Sequence, residues 1–98
     1  MKSRDEVLKI LTSQKSSLLE AYQITRLGIF GSYARDQQTD DSDIDVLVEY
    51  ENAPTLYKII ELRDYLSELF SVKVDVVTKN GLKERIRERV LAEVIYLE

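Results

Sequence analysis

The apolar residues of this chain change their spacing several times, and each change marks an element. Val7, Leu8, Ile10 and Leu11 keep helical spacing behind Ser3-x-x-Glu6, a pattern in which two polar side chains cap the first turn reciprocally. Residues 13–17 are a polar interruption, after which Leu18, Leu19 and Tyr22 resume an apolar face. Two short helices, or one kinked helix, are therefore expected before Thr25. Arg26–Phe30 reads as a short buried strand ending at Gly31. Ser32–Arg35 should open a short helix, with Ser32 near its N-terminus. Residues 36–42 have loop composition. Ile44–Tyr50 predicts a second strand, with Ile44, Val46 and Val48 on one face and Asp45, Leu47 and Glu49 on the other. Pro54 suits the first turn of a helix that Leu56, Ile59, Ile60, Leu66, Leu69 and Phe70 carry to about residue 70. Val72–Val77 predicts a third strand, with Asp75 on the face of Lys73 and Val77. After Asn80-Gly81, Leu82, Ile86, Val90 and Val94 outline a last helix, although Val94–Leu97 reads equally well as extended. The expected fold is α+β, a small mixed β-sheet with helices packed mainly on one face, in a single domain over residues 1–98.

Composition narrows the chemistry. Apolar content of 44% and charged content of 33% fit a globular chain in water. No apolar run approaches the length of a membrane span, and Met1–Glu6 is too polar for a signal peptide, so the expected location is the cytoplasm. The chain has no cysteine and no histidine. Disulfides, thiolate or imidazole ligands and a histidine base are thereby excluded, and any metal must be held by oxygen, which favours Mg²⁺ or Mn²⁺ over zinc. A net charge of −4 argues against direct nucleic-acid binding. The acids crowd into residues 36–51, whereas Lys79, Lys83, Arg85, Arg87 and Arg89 make a basic run near the end. That run is either a solvated helix face paired with local glutamates or a surface for phosphates or an acidic partner.

Against this background a few residues stand out. Asp43 and Asp45 are two apart at the start of a strand, so both carboxylates should leave one face while Ile44 enters the core. Two such carboxylates repel each other, and a divalent cation relieves the conflict. A lone Asp-x-Asp would more often be a pair of solvated aspartates. Gly31-Ser32 shifts that balance. Glycine lets a backbone approach a phosphate, and serine at a helix start adds a hydroxyl to unpaired N–H groups. By chance the joint pattern Gly-Ser-x10-Asp-x-Asp arises in on the order of one in a thousand chains of this length. Asp75 interrupts a run of valines, a costly place for an unpartnered carboxylate. If its strand lies beside that of Asp43 and Asp45, the three acids can converge; otherwise Asp75 is an exposed position on the sheet. Arg35, one turn beyond Ser32, either reaches back to the phosphates with its planar fork or pairs with Asp36 or another loop acid. Tyr33 reads as packing or a base-stacking surface.

With these residues placed, the chain resembles the minimal nucleotidyltransferase family, a branch of the DNA polymerase β-like superfamily. The resemblance runs through Leu27–Arg35, Ser42–Val48 and Val74–Val77 and covers most of residues 26–94. Asp36 departs from it, because glycine is frequent after the arginine; aspartate makes the loop stiffer and more acidic. The resemblance implies the nucleotidyltransferase fold, with Gly31 and Ser32 cradling the triphosphate of ATP. It implies Mg²⁺ on Asp43 and Asp45, with Asp75 contributing to a second metal and helping to deprotonate the attacking hydroxyl. It also implies a partner, since short members of the family are often encoded beside a small helical HEPN protein. There they act as antitoxins, some by transferring AMP to a tyrosine of the HEPN toxin.

Three functions remain open on the sequence. The first is an adenylyltransferase antitoxin whose partner presents the acceptor, since 98 residues leave little room for an acceptor domain. The second is an antitoxin that neutralises by occlusion alone; the intact Gly-Ser and three-aspartate set argues against it. The third is transfer to a small molecule such as an aminoglycoside, which needs a pocket that a dimer or partner would have to complete. Apolar residues on the first or last helix would serve a homodimer, a hetero-oligomer with the toxin, or the core.

Overall fold

Four short strands form one sheet because three apolar segments of alternating pattern find each other in two different senses. In the computed structural model, which describes residues 2–98, helices α1 (Arg4–Ser13) and α2 (Lys15–Tyr22) come first. They are two helices, not one kinked helix. The capping box between Ser3 and Glu6 forms in both directions. Strand β1 (Arg26–Phe30) follows, then the single turn of α3 (Gly31–Ala34) and strand β2 (Ile44–Glu49). Helix α4 (Leu56–Phe70) connects β2 to strand β3 (Val74–Thr78), and a 3₁₀ turn (Lys79–Gly81) leads to α5 (Glu84–Glu93) and the short strand β4 (Ile95–Tyr96). Pro54 stands before the first turn of α4 instead of within it, because the Thr55 hydroxyl caps the helix by accepting from Lys58 N–H.

The strand order is β3-β2-β1-β4. β1 is antiparallel to both β2 and β4, and β2 is parallel to β3. A parallel pair needs a crossover, and α4 supplies it. Gly28 admits β4: a Cβ there would lie 2.8 Å from the Ile95 carbonyl oxygen and 2.9 Å from Val94 Cγ2. The end of the chain thus resolves as helix to Glu93 and extended beyond it.

The main core lies between α1, α2 and α4 and one face of the sheet, where Leu27, Ile29, Ile44, Val46 and Val74 meet Leu11, Leu62, Leu66 and Phe70. Tyr33, 1% exposed, belongs to this core, so it packs and does not stack on a base. The second face is not left to solvent. Leu47, expected beside polar neighbours, is fully buried under Leu82 and Val90, with Phe30, Val77 and Ile86 around it. Helices are therefore mainly on one face, and α5 alone closes the other. Asp36 adopts the left-handed conformation, φ 59°. Aspartate tolerates that region, and glycine would enter it without strain.

Leu47→Ala is expected to cost about 2–4 kcal/mol of unfolding free energy, as for a buried leucine losing its packing. Urea denaturation measures it; a change under about 0.5 kcal/mol would assign Leu47 to a solvated face.

Candidate active site

The β1–β2 register sets Phe30 opposite Asp45, and the β2–β3 register sets Asp45 opposite Asp75. The end of β1, the start of β2 and the start of β3 thereby come to one edge of the sheet. At Phe30 the chain turns into α3 through Gly31, which is buried with φ +76°. A Cβ at this glycine would collide with the Asp45 carboxylate. Glycine is required twice over, by its dihedral angle and by the approach of the backbone to an acid. Ser32, half-buried, follows in the same turn.

Asp45 feels this crowding. Burial first, then the charges of Asp75 and Asp43, push its carboxyl up to about 6, while Arg35 opposes the shift. Asp43 differs from the expectation of a residue within the strand. It stands one residue before β2, and its Oδ2 is 3.7 Å from Lys73 Nζ. Among the described residues no three acidic side chains already form a metal cage. Asp45 and Asp75 are brought together by strand pairing, and Asp43 stands just before β2, its carboxylate near a lysine and its charge felt at Asp45. The fit to a divalent cation lies in the donor set: hard carboxylate oxygens only, with a mutual repulsion at Asp45 that positive charge removes.

Two clefts open on this edge and share Phe30 and Asp45. One, of about 600 Å³, is lined by Gly31, Ser32, Arg35, Arg89 and Glu93. The other, of about 630 Å³, passes Asp75 and is walled by apolar residues such as Leu56, Ile60, Leu82 and Ile86. Arg63, Lys83 and Arg85 line its polar part. The basic run near the chain end is thus divided: Arg89 serves the first cleft, Lys83 and Arg85 the second, and Arg87 donates to the Lys79 carbonyl at 2.8 Å. Arg35 reaches the first cleft as expected, but its partner is neither Asp36 nor a loop acid. Its Nη1 donates to Glu93 at 2.9 Å. Sequence reasoning passed over Phe30 and Glu93 as site residues and held Arg89 only as one of a basic run open to phosphates or an acidic partner. The one signal for Glu93 was an acid closing a basic helix, against the helix dipole.

A nucleotidyltransferase domain model matches residues 11–97. The chain belongs to the nucleotidyltransferase family. Over 97 residues it is 43% identical to the protein adenylyltransferase MntA of Thermococcus cleftensis, covering 99% of this chain and 98% of that one. It superposes with TM-score 0.80 and 37% identity on a solved structure described as a candidate minimal nucleotidyltransferase, covering 96% and 95% of the two chains. Two more distant structures share the fold. A toxin–antitoxin with AMP-PNP matches with TM-score 0.76 and 22% identity, over 89% of this chain and 72% of that one. A tri-AMPylated Shewanella oneidensis HEPN toxin in complex with an MNT antitoxin matches with TM-score 0.70 and 19% identity, over 93% and 71%. The protein is an enzyme of the minimal nucleotidyltransferase type. Among the described residues no helix is long and apolar enough to cross a membrane.

The raised carboxyl of Asp45 has a consequence for stability. Its folded pKa lies above its ordinary value, so the stability it contributes is full below about pH 4 and is lost as the pH rises to about 6. Without metal, Asp45→Asn should therefore raise the melting temperature at pH 8 by a few degrees and leave it nearly unchanged at pH 4. Thermal melts in EDTA measure this; equal effects at both pH values would place Asp45 in an uncrowded setting.

Proposed function

We propose that this enzyme is a Mg²⁺-dependent protein adenylyltransferase that moves AMP from ATP to a hydroxyl of a partner HEPN toxin, a tyrosine hydroxyl in the reading favoured here, and so acts as its antitoxin in the cytoplasm. The observation that carries the reading is the meeting of two unlike clefts at Asp45. One offers groups for phosphates; the other is apolar, basic at its margin, and contains Asp75 but none of the phosphate-side residues except Phe30 and Asp45. In-line displacement at an α-phosphate needs this opposition, with the leaving pyrophosphate on one side and the acceptor on the other.

Each residue then has a task. Ser32 and the backbone of Gly31 receive phosphate oxygens, and Arg35 and Arg89 balance their charge. Asp43, Asp45 and Asp75 would hold Mg²⁺, as one ion or two, with Mn²⁺ as a chemical substitute. When bound, the metal supplies charge neutralisation at the reacting phosphate and the leaving group. Asp75, on the acceptor side, takes up the proton of the attacking hydroxyl. A phenol with a pKa near 10 is a poor nucleophile at neutral pH until that proton has somewhere to go. The oxygen–phosphorus bond to the acceptor forms as the bond to pyrophosphate breaks. The relatives support the partner: one is named a protein adenylyltransferase, and a structural neighbour pairs an MNT antitoxin with an AMPylated HEPN toxin. The surface supports it as well, since Leu56 and Tyr57 are about three-quarters exposed at and beside the apolar cleft, where a docked protein would cover them.

The test combines the purified protein, Mg²⁺, α-labelled ATP and the product of the neighbouring gene, with mass and label measured on both chains. One or more AMP units should appear on the partner. Asp43→Asn should slow transfer by at least about 100-fold, as for loss of a group acting on transition-state charge, while the complex persists. Undiminished transfer by that variant would remove Asp43 from catalysis. A neutralising complex with no transfer would favour occlusion, and label on a small molecule alone would favour the third function.

A further inference from the structure

Glu93 is the odd member of the phosphate-side cleft. It is the last residue of α5, where a carboxylate faces the negative end of the helix dipole. Its side chain is only 16% exposed, and a carboxylate withdrawn that far from water needs partners. It has two. Oε1 accepts from the Gly31 amide at 3.2 Å, and Oε2 accepts from Arg35 Nη1 at 2.9 Å. Both donors belong to the group that the proposed reaction assigns to the triphosphate. Glu93 also adds to the negative charge that raises Asp45. A two-oxygen anion thus sits where the anionic ligand would make its contacts, and it faces the acids that the ligand's metal must satisfy.

We propose that Glu93 is a built-in competitor for the triphosphate and thereby sets the affinity threshold of the cleft for anions. Its carboxylate occupies the Gly31 amide and Arg35 until the ligand displaces it. The observed affinity is then the intrinsic affinity reduced by the fraction of molecules in which Glu93 has let go. A triphosphate recovers that loss through further contacts with Ser32, Arg89 and a metal on the aspartates. Orthophosphate has only the contested subsite and is rejected. The incumbent lowers the affinity of every anion by the same factor, and only a long polyphosphate has the further contacts that bring binding back into a useful range. The inference rests on the nucleotide reading of this cleft, and it needs neither the partner protein nor the transfer reaction.

Calorimetric titration of the wild type, Glu93→Gln and Glu93→Ala with Mg-ATP, inorganic tripolyphosphate and orthophosphate tests it. Both substitutions should tighten Mg-ATP and tripolyphosphate about 10-fold, the low end of what a charge-assisted contact supports. They should also bring orthophosphate into a measurable range. Unchanged or weaker binding by variants that still melt cooperatively would overturn the proposal and make Glu93 a positioning residue for Arg35. Should the variants not fold, the wild type carries the test by NMR. On titration with tripolyphosphate the Glu93 carboxyl carbon must shift together with the Gly31 amide; a Gly31 shift with Glu93 unmoved overturns the proposal. If no form of the protein binds any of the three probes, the nucleotide reading of the cleft falls, and this inference with it. Binding by the wild type without tightening in the variants sinks only the role of Glu93.

Discussion

Antiparallel pairing of β1 with β2 sets Phe30 opposite Asp45, and the turn that follows Phe30 then has to pass over a carboxylate at a distance that admits no Cβ. Most of what is unusual in the molecule follows from that approach. It demands glycine at position 31 with a positive φ. It removes Asp45 from water, which together with Asp75 and Asp43 raises its carboxyl well above the ordinary range. It also aims the first amide of α3 into the cleft, where it needs an acceptor and where the protein supplies Glu93. An edge of this kind carries charge that the fold alone does not balance. Its acids repel, and the amide and guanidinium beside them take the Glu93 carboxylate as acceptor.

The remainder of the fold keeps that edge in place. The parallel pairing of β2 and β3 puts Asp75 level with Asp45, and α4 makes the pairing possible while burying Leu62, Leu66 and Phe70 in the main core. On the other face α5 covers Leu47 and delivers Arg89 to one cleft and Lys83 and Arg85 to the other from its start and flank. One helix thus closes a second core, divides a cationic run between two clefts and ends in Glu93, whose carboxylate accepts from the Gly31 amide and Arg35. β4 holds its far end through the close contact at Gly28. Stability and site geometry are coupled through this helix, because a shift of α5 moves Glu93 and the walls of both clefts together.

Much of this was legible in the order of residues. Periodicity located α4 and the three main strands to within two residues and found the apolar faces of the N-terminal helices without deciding between one and two, because each buries a regular apolar stripe. The pair Gly31-Ser32 and the aspartates 43, 45 and 75 stood out as candidates by their chemistry, a flexible residue beside a serine, crowded acids and an acid among valines, and the structure brings Gly31, Asp45 and Asp75 together. Leu47 was assigned to a polar face because alternation along a strand tells which residues share a side, and not what covers that side.

The sequence alone determined the local elements, the oxygen-only ligand chemistry and the set of acids and small residues available for a phosphate site. These depend on side-chain type and short spacing, which a chain displays without folding. Tertiary structure decided which strands pair and in what sense, and hence that Asp75 faces Asp45 while Asp43 stands outside the strand near Lys73. It decided that Arg35 meets Glu93, 58 residues away, instead of its neighbour Asp36. Contacts of that separation are set by how α5 and β4 pack back onto β1, a balance of burial over the whole sheet that no local pattern encodes.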